Sequence, residues 1–532
     1  MKNVQNFLKD KENQKKFLQD LFELIKIPSI TTSAKNDYES ENMTRCAEKL
    51  KTYLESAGAS ASLIFYKDFP PFVYAEKIFS DKLPTVLVYG HYDVMPVSEQ
   101  LEKKEWKTPP NPDGQIDPFY PVIMETLDSE VIDISELSDE VIEKCKIWAR
   151  SADDDKGQSF MHIAALKAMS ETNFLHDKCN IKFLLEGQEE SGSEGLTEWC
   201  ETSEAKDKLK ADVILVSDTS LLGMDSPSLT CGLRGVLSTF VTVSGPKSDL
   251  HSGLFGGVVA NPINTLCKII GSLVDEYGRI TIPGFYNGII DHTFTARDQM
   301  NSAPFSEYEF RMSVYCDKYK NVAENCVYAD TNIHDKKENC QKCKHFNSKI
   351  NKILTGEVGY SVLERKGTRP TLDVCYINGG ANSNIIPKEA KAKISMRLVN
   401  GQSYQEIAEL FKKHIESIAP PTVNVEVEIQ NGGLNYSAQR ESKAYKAAEK
   451  ALKTTFNKPE DSLIIPYYSG GSIPIIAILE KTCGTNTPAV LMGFGLDSDT
   501  IHGPNENYPL KNFFLGMQTI PYFYEYFCSE SV

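Results

Sequence analysis

The sequence lacks any apolar run long enough to cross a membrane. A span needs about 18 such residues, and no stretch of that kind occurs in the 532 residues. It also lacks a basic surplus. With 57 Lys and Arg against 73 Asp and Glu, the formal charge is −16, which argues against nucleic acid or an anionic membrane surface as a partner. There is no biased tract and no internal repeat. The first residues, MKNVQNFLKDKENQKKFLQDLFELIKIP, hold no uninterrupted apolar segment and carry acids throughout. They read as an amphipathic helix ending before Pro28, not as a signal peptide. Thirteen cysteines, an odd number scattered along the chain, suit a reducing compartment better than a disulfide framework. A cytoplasmic protein is expected, and its length exceeds one ordinary core, so two domains are expected too.

What is present is two styles of strand. PTVLVYGH (84–91), NIKFLLE (180–186) and ADVILVS (211–217) are apolar without alternation. They predict strands covered on both faces, with GQSFMHIAALKAM (157–169) as one of the covering helices. KAKISMRLV (391–399) instead alternates, with Ala392, Ile394, Met396 and Leu398 on one face and Lys391, Lys393, Ser395 and Arg397 on the other. TVNVEVEIQ (422–430) does the same through Val423, Val425, Val427 and Ile429. Such strands predict an antiparallel sheet with one wet face. LSTFVTVSG (237–245) and helical stretches near 262–276 and 403–416 complete an α+β unit of ferredoxin-like kind. The buried style returns after about residue 437 and closes with AVLMGFG (489–495) and a C-terminal helix. The expected fold is an α/β catalytic domain with a helix-covered, mostly parallel sheet (1–235 and 438–532), interrupted by an inserted α+β domain (236–437). Residues 114–147, which hold an acidic run, and 286–350 read as local additions.

The chemistry gathers at strand ends, where open α/β sheets bind ligands. His91 and Asp93 follow the strand 84–91, and LEGQEESGSEG places Glu189 and Glu190 just beyond 180–186. RSADDDKG sets three aspartates before a helix. Asp218 follows 211–217, and His502 lies in the Gly-rich loop GLDSDTIHGPNEN. Alone, Glu189-Glu190 would equally suit a helix start, and His91 a structural role. Two histidines and several carboxylates, each at a strand terminus, point instead to zinc-type ligation. Two-metal sites of this kind share a carboxylate.

In this order, GHYDVMPV, DDDKG, EGQEESGSEG, VSDTS, LHSG, GGSIP and IHGPNEN resemble the motifs of the di-zinc metallopeptidases. That family includes carnosinases, cytosolic non-specific dipeptidases, glutamate carboxypeptidases and acetylornithine deacetylase-like deacylases. The resemblance is strongest to the dipeptidase branch and runs from about residue 24 to the C-terminus, apart from the additions at 114–147 and 286–350. It implies two Zn²⁺ per chain, with Mn²⁺ or Co²⁺ as alternatives. His91 and Asp218 would hold one ion, Glu190 and His502 the other, and Asp154 would bridge. Glu189 would be the general base acting on the bridging water, and Asp93 would orient His91. The inserted domain would be a lid and dimerisation domain, with His251 reaching the partner subunit's site to polarise the scissile carbonyl. Asn384, Arg397, Gly470, Gly471 and Ser472 would contact substrate.

The implied function is hydrolysis of the amide bond of dipeptides or short peptides with a free C-terminal carboxylate, by a homodimer. A deacylase of N-acyl amino acids or a glutamate-type carboxypeptidase is the alternative, and a non-catalytic scaffold a remote one. Two departures bear on substrate preference. Ala149-Arg150-Ser151 stands where relatives have Gly-Arg-Gly, and Tyr468-Ser469 where dipeptidases usually have Arg-Glu. Cys340-x-x-Cys343, with Cys316, Cys326, His334 and His345 nearby, reads either as free surface thiols or as a structural zinc site.

Overall fold

Val86, Leu87, Val88 and Tyr89 are each at most 1% exposed, because side chains on both faces of their strand, Thr85–His91, enter a core. Val86 and Val88 pack with Phe183, Leu185 and Leu215 in one cluster, together with Phe160 and Ile163 of the helix Lys156–Glu171. Leu87 and Tyr89 pack in another with Leu184, Ile214 and Val216, against Trp199 and Leu479. A strand so placed needs no polar alternation, which is why its sequence shows none.

The computed structural model describes residues 1–31, 41–176, 178–307, 310, 354–485 and 487–529. It resolves two compact units, Met1–Gly235 with Gly433–Val532, and Val236–Gly432. The first holds a nine-stranded sheet. In order, its path runs Ser60–Ile64, Phe72–Lys77, Asn180–Glu186, Thr85–His91, Val213–Val216, Ala489–Leu491, Ser228–Leu233, Tyr436–Ser437, and Ile465–Ser469 pairs with Ser228–Leu233 off the path. The central strands, Asn180–Glu186 through Ala489–Leu491, are mutually parallel. Antiparallel pairs flank them. The sheet is thus parallel where the motifs sit.

The second unit has a four-stranded sheet in the order Thr371–Gly379, Glu389–Leu398, Gly235–Ser244, Asn424–Gly433. Ala392, Ile394, Met396 and Leu398 lie at most 1% exposed, packed with Leu266 and Ile269 of Pro262–Gly271 and with Phe411 and Ile415 of Tyr404–Ile418. Their alternation is the helix-covered face of the sheet.

Local expectations shift in four places. The N-terminal helix is two, Lys2–Lys9 and Lys11–Ile25, because Asp10 turns extended and its side chain caps the second through the Asn13 amide. Ile429 is 42% exposed, so the inward alternation of its strand stops at Val427. The strand in 489–495 ends at Leu491. The 114–147 segment is woven into the first unit: Val122–Met124 pairs with Lys146–Trp148, which pairs with Asn507–Pro509. Among the described residues no helix is long and apolar enough to cross a membrane.

Candidate metal centre

Parallel neighbours end at one edge, so the residues just past them converge. His91 closes its strand, opposite Glu186 in the parallel register. Glu189 and Glu190 follow in the short 3-10 turn Glu189–Ser191. Asp218 lies two residues past Val213–Val216, and Asp154 precedes Lys156–Glu171.

Two donor groups result. One ligand atom from each of His91, Asp154 and Asp218 lies within 4.8 Å of the others, and the same holds for Asp154, Glu190 and His502. His91 Nε2 is 3.1 Å from Asp154 Oδ1 and 3.8 Å from Asp218 Oδ2. His502 Nε2 is 2.9 Å from Asp154 Oδ2 and 3.0 Å from Glu190 Oε2. Asp154 therefore offers one oxygen to each group. Glu189 belongs to neither.

Asp93, fully buried, faces both ways. Its Oδ1 is 3.3 Å from His91 Nδ1. Its two oxygens accept from the Glu189 and Glu190 amides, each at 3.1 Å. Asp93 thus orients an imidazole, whose Nδ1 lies 3.1 Å from the Asp93 backbone carbonyl as well as 3.3 Å from its carboxylate, and holds the turn that carries both glutamates. Asp155 accepts from the His91 amide at 3.1 Å and from Ser159 Oγ at 2.6 Å.

Whether these residues suit divalent cations can be judged from their charge. Burial pushes the Glu189 carboxyl well up against the pull of His91, and Glu190, Asp93 and Asp154 add to the rise. Burial and Asp155 do the same to Asp218, and burial and Asp154 raise Glu190. Burial draws both histidines down, yet the carboxylates prevail. Hydrogen bonds to Asp154 and Asp93 hold His91 well above its usual range, and Asp154 and Glu190 push His502 up to about 11. Asp154 falls below the usual carboxylate range although burial opposes it, because His502 and His91 bond to it. The cluster gathers more negative charge than two imidazoles can offset. Its mixed nitrogen and carboxylate donors are those of zinc and similar divalent ions. The residues fit a pair of such ions.

Other sequence-predicted residues are placed as follows. In the second unit, Leu250–His251 pairs antiparallel with Ile385–Ile386, which brings His251 beside Asn384. Ser252 bonds the Asn384 carbonyl through N and Oγ. His251 is exposed, and its Nδ1 accepts from the Gly253 amide at 3.1 Å, which leaves the ring proton on Nε2. Arg397 lies on the half-exposed face of Glu389–Leu398, opposite Thr371. In the first unit, Gly470 and Gly471 form a loop whose carbonyls accept from Arg234 Nε at 3.3 Å and Arg234 N at 3.0 Å. Ser472 follows them, and Ser469 Oγ caps the Gly471 amide. Tyr468 packs on Gly232. Cys340 and Cys343 lie outside the described residues.

Sequence reasoning missed Glu506, whose Oε1 accepts from the Asp153 and Asp154 amides at 3.2 Å each. Its place four residues after His502 was the available signal. It also missed that Ser151 sits at φ +69°. That backbone favours glycine, the residue at this position in relatives of the resembling family.

Known proteins give the same reading of the fold. The Cys-Gly metallodipeptidase DUG1 of Saccharomyces cerevisiae is 30% identical over 84% of this chain and 80% of its own. The Beta-Ala-His dipeptidase of Rattus norvegicus is 27% identical over 86% of this chain and 79% of its own. The crystal structure of Sso-CP2, an M20 family metallo-carboxypeptidase from Sulfolobus solfataricus, superposes with a TM-score of 0.71 at 26% identity, covering 96% of this chain and 99% of that one. The profile of Peptidase family M20/M25/M40 matches residues 87–525, most of the chain and every donor of the two groups, and the chain belongs to that family as a metallopeptidase.

Proposed function

We propose that the protein is a dipeptidase that hydrolyses the amide bond of dipeptides or short peptides bearing a free C-terminal carboxylate. The observation that carries this is the pair of donor groups sharing Asp154 beside an uncommitted Glu189. His91 and Asp218 would hold one Zn²⁺, Glu190 and His502 the second, and Asp154 both. Mn²⁺ and Co²⁺ suit the same donors. Bound there, the ions would supply Lewis acidity and ease deprotonation of water at neutral pH. Glu189, its carboxyl raised by burial, is suited to take the proton of the attacking water and return it to the leaving amine. His251 keeps a proton on Nε2 to donate to the developing oxyanion. Arg397 offers a planar fork for the substrate's terminal carboxylate, with Asn384 and the Gly470–Gly471–Ser472 loop as further contacts.

The substrate class is supported by relatives named as Cys-Gly and Beta-Ala-His dipeptidases. In our reading the unit 236–432 is a lid and dimerisation domain, and His251 serves the partner subunit's centre. An exposed edge strand supports the homodimer. Val374, Tyr376 and Ile377 of Thr371–Gly379 are 39–51% exposed at the end of their sheet, and such an edge is open to pairing. A second reading, deacylase or carboxypeptidase, is favoured by Tyr468-Ser469 in place of Arg-Glu.

The test is kcat/KM of the Zn²⁺-loaded protein on Cys-Gly, β-Ala-His and other dipeptides, on their C-terminal amides, and on N-acyl amino acids. Free dipeptides are expected to lead. Amides should lose about 1.5–3 kcal/mol in transition-state binding, the scale of a charged hydrogen bond. Faster turnover of N-acyl amino acids would install the second reading, and equal rates on amides would remove the carboxylate anchor.

A further inference from the structure

We infer that Gln100 and Arg150 form a positioning brace for one half of the centre, the group of Asp154, Glu190 and His502; this rests on the two-cation reading above. Arg150 is 1% exposed, with its guanidinium 5.6 Å from the Trp106 ring centroid. Its Nη1 donates to Glu506 Oε2 at 2.7 Å. Its Nη2 donates to Gln100 Oε1 at 3.1 Å and to the His502 carbonyl at 3.2 Å. Gln100 Nε2 donates to that same carbonyl at 2.9 Å. The other Glu506 oxygen accepts from the Asp154 amide. One guanidinium therefore ties together the backbones of two donors of a single cation.

His502 needs such support. Its side chain is 49% exposed, so packing alone does not fix it. Its backbone is at φ +60°, with Thr500 at +56° and Asn505 at +60°, a conformation that residues other than glycine disfavour. Asn505 is held from the same side as Gln100. Its Oδ1 accepts from Lys107 N at 2.6 Å, and its Nδ2 donates to the Glu105 carbonyl at 3.0 Å. Segment 100–107 thus pins the loop that carries His502. The contacts that orient His91 come instead from Asp93 and Asp155. The Gln100 arm is selective for one half, because it reaches His502 and no member of the His91 group, whereas the Glu506 arm reaches Asp154, which both groups share.

Because Arg150 is buried and charged, the test uses Gln100, which is half-exposed. Gln100→Ala is placed in two backgrounds. Asp218→Ala leaves the His502 group to bind Zn²⁺, and Glu190→Ala leaves the His91 group. Zn²⁺ affinity of metal-free protein is read by competition with a chromophoric chelator. Gln100→Ala should weaken zinc about tenfold to a hundredfold in the Asp218→Ala background and leave it unchanged in the Glu190→Ala background. Gln100→Glu, which keeps an acceptor for Arg150 but loses the donor to His502, should show the same selectivity. An unchanged thermal midpoint of metal-free Gln100→Ala checks that the fold is kept. Equal weakening in both backgrounds, or none in either, would overturn the brace. Wild-type protein binding fewer than two zinc ions would overturn the two-cation reading, and the brace with it.

Discussion

At Ser151 the backbone takes φ +69°, and the buried Oγ has no hydrogen-bond partner among the described residues. The conformation costs a side chain about 1–2 kcal/mol, and an orphaned hydroxyl about 1–3 kcal/mol. Glycine would lose about 0.5–1 kcal/mol more chain entropy on folding. Ser151→Gly is therefore expected to stabilise the protein by about 1–4 kcal/mol, read as a higher midpoint in urea. Glu189→Gln should retain both cations by metal analysis and lose roughly 10²–10⁴-fold in turnover, whereas Glu190→Ala should lose the cation of its own group and keep that of the His91 group. An empty centre in Glu189→Gln would reverse the two assignments. His91 and Asp218 were legible because each follows a buried apolar strand, and Asp154, Glu190 and His502 because each stands in a motif at a helix start, a tight turn or a Gly-rich loop. Gln100 was not. It meets Arg150 from 50 residues away and His502 from 402 away, and no local pattern signals such a meeting.

The helix Lys156–Glu171 shows what burial of a whole element does to its polar members. Thirteen of its sixteen residues are buried, among them His162, whose Nε2 lies 2.8 Å from Ser217 Oγ. Burial pushes His162 down to about 3. Unfolded, the ring binds a proton below about pH 6.5; folded, it does not until far lower. Stability should therefore be unaffected by this group above pH 6.5 and fall as pH drops below it, by about 1.4 kcal/mol per pH unit. His162→Gln should remove that slope. The check is the difference between the two proteins in urea unfolding, both metal-free, from pH 7 to pH 4. At the N-terminus, Asp10→Ala should cost about 1 kcal/mol by uncapping Lys11–Ile25. Long covered elements such as this helix were legible from their apolar runs. The break at Asp10 was not, because polar residues flank it on both sides. Nor was Thr371–Gly379, whose exposure runs through 373–378 without alternation and so leaves no periodic signal.

For the whole molecule, the α/β and α+β styles of strand mark two units, because one sheet is covered on both faces and the other is built on a single apolar face. What sequence could not give is how copies assemble, since an edge strand reads alike whether paired or not. If His251 serves a partner's centre, mixing His251→Ala with Glu189→Gln chains should restore part of the activity that each lacks alone, and sedimentation should show a dimer. Full activity in a sedimenting monomer would end that idea. The order of the donors has a further consequence, for biosynthesis. His91, Asp154, Glu190 and Asp218 all precede the unit Val236–Gly432, and His502 follows it. At about 5–20 residues per second on the ribosome, the last imidazole arrives on the order of tens of seconds after the other four side chains. Throughout that interval the emerging chain carries carboxylates without their final counterpart. On the proposed two-cation reading, the group of Asp154, Glu190 and His502 would be complete only once translation has passed the Gly-rich loop, so loading of its ion would report that nearly all of the unit Met1–Gly235 with Gly433–Val532 has been made.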